Sequence, residues 1–207
     1  FVFSYEVEQY CGLYILKKID LNTASVMIKE ALDLRIYNSM MSREVNFRPS
    51  DLSSVLKYHN PGLYFERLFS HGDEDVVKQI SDKKPILNVA THQSLAFSEP
   101  IWTAVGDRSS FIEIIRHPAY MVEQQEVNFE SVAGGVRDFD LNFLYKGKEI
   151  PYFAHEWEDD YLKSNSTEKS INFIYQHTHK TENTKVRMSS IYPDKILTIP
   201  FEKFVLG

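Results

Sequence analysis

Cysteine is almost absent from this chain. The one residue present, Cys11, excludes an intramolecular disulfide and a cysteine-built zinc centre. Such usage fits a reducing, cytoplasmic compartment. Basic residues are outnumbered: 23 Lys and Arg stand against 29 Asp and Glu, for a net charge of −6. That balance argues against a nucleic-acid coat or an anionic membrane surface as the main partner. It leaves room for one anionic ligand held in a local pocket. There is no stretch of apolar residues long enough to cross a bilayer as a helix. No basic region precedes an apolar run, so no signal peptide is visible. The chain opens on Phe1-Val2-Phe3-Ser4 without Met, and the true N-terminus is expected upstream. Internal repeats, low-complexity tracts and a linker are lacking too.

What remains is globular composition: 207 residues, 43% hydrophobic and 25% charged. One domain over residues 1–207 is expected, burying about 70% of its unfolded surface. Fourteen Phe and twelve Tyr supply ample core mass.

Periodicity orders the chain. Phe1–Ser4 reads as a short buried strand. Ala24, Met27, Ala31 and Leu34 recur at helical spacing behind a cap at Asn22 or Thr23. Asp51 is placed to cap a helix carrying Leu52, Val55 and Leu56, and Asp73 one carrying Val76, Val77 and Ile80. Pro85–Thr91 reads as a buried strand of the kind found in parallel sheets. Ser98-Glu99-Pro100 starts a helix that runs to Gly106. Phe111–Ile115 is a second buried strand, and Pro118 opens the next helix. Glu168–His177 reads as a helix and Ile196–Ile199 as a last strand. This alternation predicts an α/β fold with a mostly parallel sheet, whose ligands sit at the carboxyl ends of strands.

Two candidate sites follow. Arg116 ends one strand just before a helix begins, and the two together suit an anion such as phosphate. An Arg there also suits a salt bridge to Glu113 or Glu123. His92 ends another strand, where an imidazole can take a proton from an attacking hydroxyl. A packed, hydrogen-bonded histidine is the alternative. Glu6 and Glu8 are candidates for a general base, though alternating carboxylates more often form a solvated face.

Other motifs carry less. His155-Glu156-Trp157-Glu158-Asp159 begins like a metalloprotease helix but has Asp where the second His belongs. His177-Thr178-His179 lacks acidic or Cys partners nearby. Gly134-Gly135 lacks the Lys-Ser/Thr of a phosphate loop and reads as a turn. Asn165-Ser166-Thr167 is a glycosylation sequon, relevant only in a secretory lumen, so a Golgi location stays open. Trp102, Tyr120, Tyr152 and Trp157 suit stacking on an acceptor or packing in the core.

Three blocks carry a resemblance. They are Pro85–His92, Phe111–Pro118 and Tyr192–Val205, the last reading Tyr192-Pro193-Asp194-Lys195-Ile196-Leu197 and then Phe201-Glu202-Lys203. In that order they resemble the sulfotransferases that use 3′-phosphoadenosine 5′-phosphosulfate (PAPS). The resemblance implies a three-layer sandwich around a central, mostly parallel sheet, of the phosphate-loop-like sulfotransferase fold. It implies Arg116 on the 3′-phosphate of the donor and His92 as catalytic base, with Glu8 in reserve. Gln124 stands where the family usually has a phosphate-binding Ser. Ala90 stands where it often has Lys. The implied reaction transfers a sulfuryl group to a hydroxyl of a small molecule or glycan, without a metal. The family's Gly/Ser-rich phosphosulfate loop is missing after Ser4, and so is its C-terminal Gly-rich segment. A loop omitted between Ser4 and Tyr5 is therefore expected. The rival readings are a non-catalytic binding module of the same fold and a small-molecule kinase, which would need a Lys-Ser/Thr loop and a magnesium carboxylate.

Overall fold

The computed structural model describes residues 2–131 and 140–206. The expected Gly134-Gly135 turn lies outside them. In chain order, the elements are β1 (Val2–Phe3), α1 (Tyr5–Ile15), α2 (Leu21–Met40), α3 (Gly62–Leu68), α4 (Glu74–Lys83), β2 (Val89–Ala90) and α5 (Glu99–Val105). Then come β3 (Phe111–Ile115), α6 (Pro118–Ser131), β4 (Asn142–Tyr145), β5 (Lys148–Pro151), α7 (Glu158–Lys163), α8 (Ser166–Ile191), β6 (Ile196–Pro200) and α9 (Phe201–Leu206). The fold is mixed α/β, rich in helix, with two parallel strand pairs and one antiparallel pair.

The chain divides into two compact units, residues 1–4 with 29–90, and residues 5–28 with 91–207. In the first unit β1 pairs in parallel with β2, Val2 opposite Val89 and Phe3 opposite Ala90. Only these two residues of the expected Pro85–Thr91 strand form one, and Ile86 is exposed. The core of this unit is Met40, Met41 and Val76, flanked by Tyr37 and Ile80. Val76 and Ile80 lie one turn apart on α4, as the spacing predicts. Asp73 does stand at the head of α4, but its side chain makes no cap. Instead Tyr37 Oη accepts the Asp73 N–H at 2.9 Å. The expected helix after Asp51 shrinks to one 3₁₀ turn, Val55–Lys57, capped by Ser54. Asp51 is occupied by the Asn46 amide at 3.1 Å, so it has no oxygen aimed at a helix start.

The second unit holds the larger core. Ile150, Tyr152, Phe153, Ala154, Trp157, Tyr161, Phe173 and Ile174 form one buried cluster. A hairpin leads into it. Lys146 and Gly147, both at positive φ, make the tight turn joining β4 to β5. The hairpin has no signal in the sequence reading because its apolar residues are few and its turn is Lys-Gly. Trp102, Tyr152 and Trp157 are all buried and not open to an acceptor; Tyr120 is exposed. Two caps differ from expectation. Asp20, not Asn22 or Thr23, starts α2 by accepting the Thr23 N–H at 2.8 Å. Ser98 precedes α5 as expected, yet its hydroxyl serves the Trp102 indole N–H at 3.0 Å.

β3 and β6 pair in parallel over five residues, from Phe111 opposite Ile196 to Ile115 opposite Pro200. β3 was expected to be buried. One face of the pair is bare instead: Ile112, Ile114 and Leu197 are exposed. The other face is tied down by Glu113, which accepts from Thr198 Oγ1 at 2.7 Å and pairs with Lys185 of α8 at 2.9 Å.

The longest helix, α8, spans the expected Glu168–His177 segment and runs 14 residues further. It begins with a full capping box: Asn165 Oδ1 accepts the Glu168 N–H at 2.9 Å, and Glu168 Oε2 accepts the Asn165 N–H at 3.0 Å. The sequon is thus the helix start. Replacing Asn165 by Ala should cost about 1 kcal/mol in urea unfolding, while Asn165→Asp keeps most of it. An unchanged midpoint in Asn165→Ala would show that this cap contributes nothing to stability.

Candidate functional site

The alternating carboxylates of α1 are separated by the helix itself. Residues two apart lie about 200° around a helix, so Glu6 and Glu8 cannot share a face. Glu6 is exposed, and Glu8 is 6% exposed. The buried stripe is Val7, Glu8, Cys11 and Gly12. Gly12 sits one turn beyond Glu8 and admits the Tyr152 ring, which a Cβ there would meet at 3.0 Å. Because the helix approaches so closely, Tyr152 Oη donates to Glu8 Oε1 at 3.1 Å. The other oxygen, Oε2, accepts the His92 backbone N–H at 3.1 Å and lies 3.6 Å from His92 Nδ1.

A carboxylate this deep would ordinarily be pushed up by burial, and burial is indeed the largest single influence on Glu8. The donors from His92 and Tyr152 together outweigh it and hold the carboxyl below the usual range. His92 moves the opposite way. Glu8 raises its pKa against a smaller opposing effect of burial. The His92 side chain is 54% exposed, so the imidazole bridges a buried anion and solvent. Tyr5 places its ring 6.2 Å from the imidazole. Cys11, buried behind Glu8, has its thiol pushed far up by burial and by the Glu8 charge, so it is inert.

Arg116 follows β3 directly. Neither of the expected carboxylate partners holds it: Glu113 is taken by Lys185 and Thr198. Among the described residues Arg116 has no ion pair. Its Nη1 donates to Gln124 Oε1 at 2.9 Å. Its guanidinium carbon lies 5.5 Å from the Tyr120 ring centre and 5.3 Å from that of Phe201. The spacing explains these contacts. Tyr120 and Gln124 are four apart on α6 and share a face. The β3–β6 register, continued by one residue, sets Arg116 opposite Phe201.

The helix start beside Arg116 is less open than the sequence implies. Glu202 Oε1 accepts the His117 N–H at 3.0 Å, and the Ala119 N–H turns back to His117 Nδ1 at 3.3 Å. The donors left open there are on the Arg116 and Gln124 side chains more than on the amides of α6.

The four candidates thus form two pairs, Glu8 with His92 and Arg116 with Gln124. Tyr152 joins the first pair, and Tyr120 and Phe201 join the second. Tyr152 and Tyr120 were expected to stack on an acceptor or pack in the core, and Phe201 lay in the third resemblance block, but their contacts with Glu8 and Arg116 had no signal in the sequence. The remaining motifs have structural uses. His155 Nδ1 and Glu158 Oε1 lie 2.9 Å apart, and Asp159 pairs with Lys146. His177 stacks on Phe173 at 5.5 Å, while His179 meets Asn183. No cluster of three or more His, Cys, Asp or Glu suited to a metal occurs among the described residues. No described helix is long and apolar enough to cross a membrane. A surface cleft of about 590 Å³ opens at the α1–α2 turn, lined by Tyr14, Lys17, Lys18 and Asp20 among others, and takes none of the four candidates.

Compared with known proteins, the chain matches no family model, no curated protein and no solved structure. Function is therefore argued from these two pairs.

The Glu8–His92 pair makes stability depend on pH. The lowered Glu8 pKa contributes above about 4.5, its ordinary value, and is lost as pH falls through the folded value. The raised His92 pKa contributes in full below 6.5 and is lost as pH rises through the folded value. The pair should therefore stabilise most between pH 4.5 and 6.5. His92→Gln should narrow the difference in urea-unfolding free energy between pH 5.5 and 8, by less than about 1 kcal/mol because His92 is half exposed. A mutant with the same pH dependence as the wild type would mean that the pair is not coupled.

Proposed function

We propose that this chain is a sulfotransferase domain that moves a sulfuryl group from PAPS to the hydroxyl of a small-molecule or glycan acceptor. One observation carries the reading. Arg116, at the end of a parallel strand, has no ion pair among the described residues and is bonded instead to the amide of Gln124; the nearby Glu202 spends an oxygen on the His117 N–H. The resemblance implies phosphate-binding groups at these two positions. In the bond drawn, Gln124 uses its oxygen, which leaves its Nε2 donors and the remaining Arg116 donors for a phosphate.

Two pairs suit the two ends of the reaction. Arg116 and Gln124 hold the 3′-phosphate. His92 takes the acceptor hydroxyl proton as the acceptor oxygen forms a bond to sulfur. The bond from sulfur to the 5′-phosphate oxygen breaks, and 3′-phosphoadenosine 5′-phosphate (PAP) leaves with the electron pair. Glu8 serves the imidazole better than it would serve as base. Both its oxygens already accept hydrogen bonds, and its pKa is depressed. A three-layer sandwich with one central sheet is part of this reading.

A second reading has its own support. β1 passes into α1 through Ser4 alone, so no Gly-rich loop cradles a 5′-phosphosulfate there. A binding module that recognises PAP without turning over PAPS fits that feature.

Calorimetry with PAP, using 5′-AMP as control, tests the reading. Micromolar binding that needs the 3′-phosphate and is lost in Arg116→Ala is the expected result. His92→Ala should keep PAP binding and lose about 10²- to 10⁴-fold in transfer rate. Transfer by the wild type should rise with pH through a pKa above 6.5, since the base must be neutral. PAP binding without transfer selects the binding module. Failure of the wild type to bind PAP removes both readings.

A further inference from the structure

An arginine on a surface is a flexible chain, and fixing it on a ligand costs side-chain freedom. Arg116 meets part of that cost before any ligand arrives. Its guanidinium lies within cation–π range of two rings, Tyr120 at 5.5 Å and Phe201 at 5.3 Å. The bond to Gln124 Oε1 at 2.9 Å fixes one end of the fork. The three partners come from two elements that meet only through tertiary structure. Tyr120 and Gln124 lie on one face of α6, and Phe201 opens α9 just beyond β6. Nothing in the proposed chemistry requires either ring to touch a substrate. Tyr120 is 55% exposed, and its ring meets Arg116 and His117.

We propose that Tyr120 and Phe201 are positioning residues that clamp the Arg116 guanidinium in one orientation, with its remaining donors preset for a phosphate. This rests on Arg116 being the phosphate-binding residue of the proposed function. Ring faces restrain a planar guanidinium without consuming its N–H donors, whereas a carboxylate would restrain it by filling them. The clamp therefore gives order without adding a counter-charge. His117 lies against Tyr120 with ring centres 5.8 Å apart and limits that ring in turn.

Each ring should be worth about two- to fivefold in affinity at such an exposed site. The experiment measures PAP and 5′-AMP binding by calorimetry. It compares the wild type, Arg116→Ala, Tyr120→Leu, Phe201→Leu and the double Leu variant, with Tyr120→Phe and Phe201→Tyr as conservative controls. The preference for PAP over 5′-AMP should fall about tenfold in the double Leu variant and stay unchanged in the conservative ones. A readout without ligand accompanies it: the order parameter of the Arg116 Nε–Hε bond. It should exceed about 0.6 in the wild type and drop below that in the double variant. If Arg116→Ala keeps the preference, the phosphate reading fails and takes this inference with it. If Arg116→Ala loses it while the double Leu variant keeps it, only the clamp is wrong. A low order parameter in the wild type also overturns the clamp, whatever the binding.

Discussion

A buried carboxylate governs the second unit of this protein. Glu8 lies in the interior face of α1, where an isolated charge would cost several kcal/mol. It is made tolerable by donors from two distant parts of the chain, the His92 backbone N–H 84 positions away and the Tyr152 hydroxyl 144 positions away. The arrangement constrains everything around it. α1 must approach Tyr152 closely, which is why Gly12 faces the ring. The turn after β2 must present an N–H to α1. The imidazole of His92 is then set beside the carboxylate as a consequence of that backbone bond.

The two candidate pairs illustrate opposite ways to prepare a charged group. His92 is prepared by a buried counter-charge, which raises its pKa and lets solvent reach the ring. Arg116 is prepared by two aromatic faces and an amide, none of which carries a counter-charge. A counter-ion suits a group that exchanges a proton. It would defeat a group that must bind an anion. Glu202 marks the limit of this contrast: it lies close enough to be held down by His117 and Arg116, yet it spends an oxygen on the His117 N–H.

Legibility followed the range of the forces involved. The Ser98–Glu99 helix start, the Pro118 start, β3 and β6 were readable because caps, proline and apolar runs act within a few residues. Their burial was not. Ile112 and Ile114 read as core and are exposed, since burial depends on what else covers a face. Two caps were misread, although the helix after Asp73 forms as expected. Asp51 and Asp73 have the chemistry of caps, but Asn46 and Tyr37 claim their polar groups first. The β4–β5 hairpin went unseen because a Lys-Gly turn is a weak signal.

The sequence alone determined the classes of group present: one cysteine, an acidic charge balance, a strand-terminal Arg, a strand-terminal His and a pair of carboxylates on one short segment. Local periodicity and residue chemistry are enough for that. Only tertiary structure decided that Glu8 and not Glu6 meets His92, because helix rotation sends the two carboxylates to different faces. Only the β3–β6 register decided that Phe201 would stand against Arg116. Charge state and orientation are set by neighbours that lie far apart along the chain, and no local pattern records them.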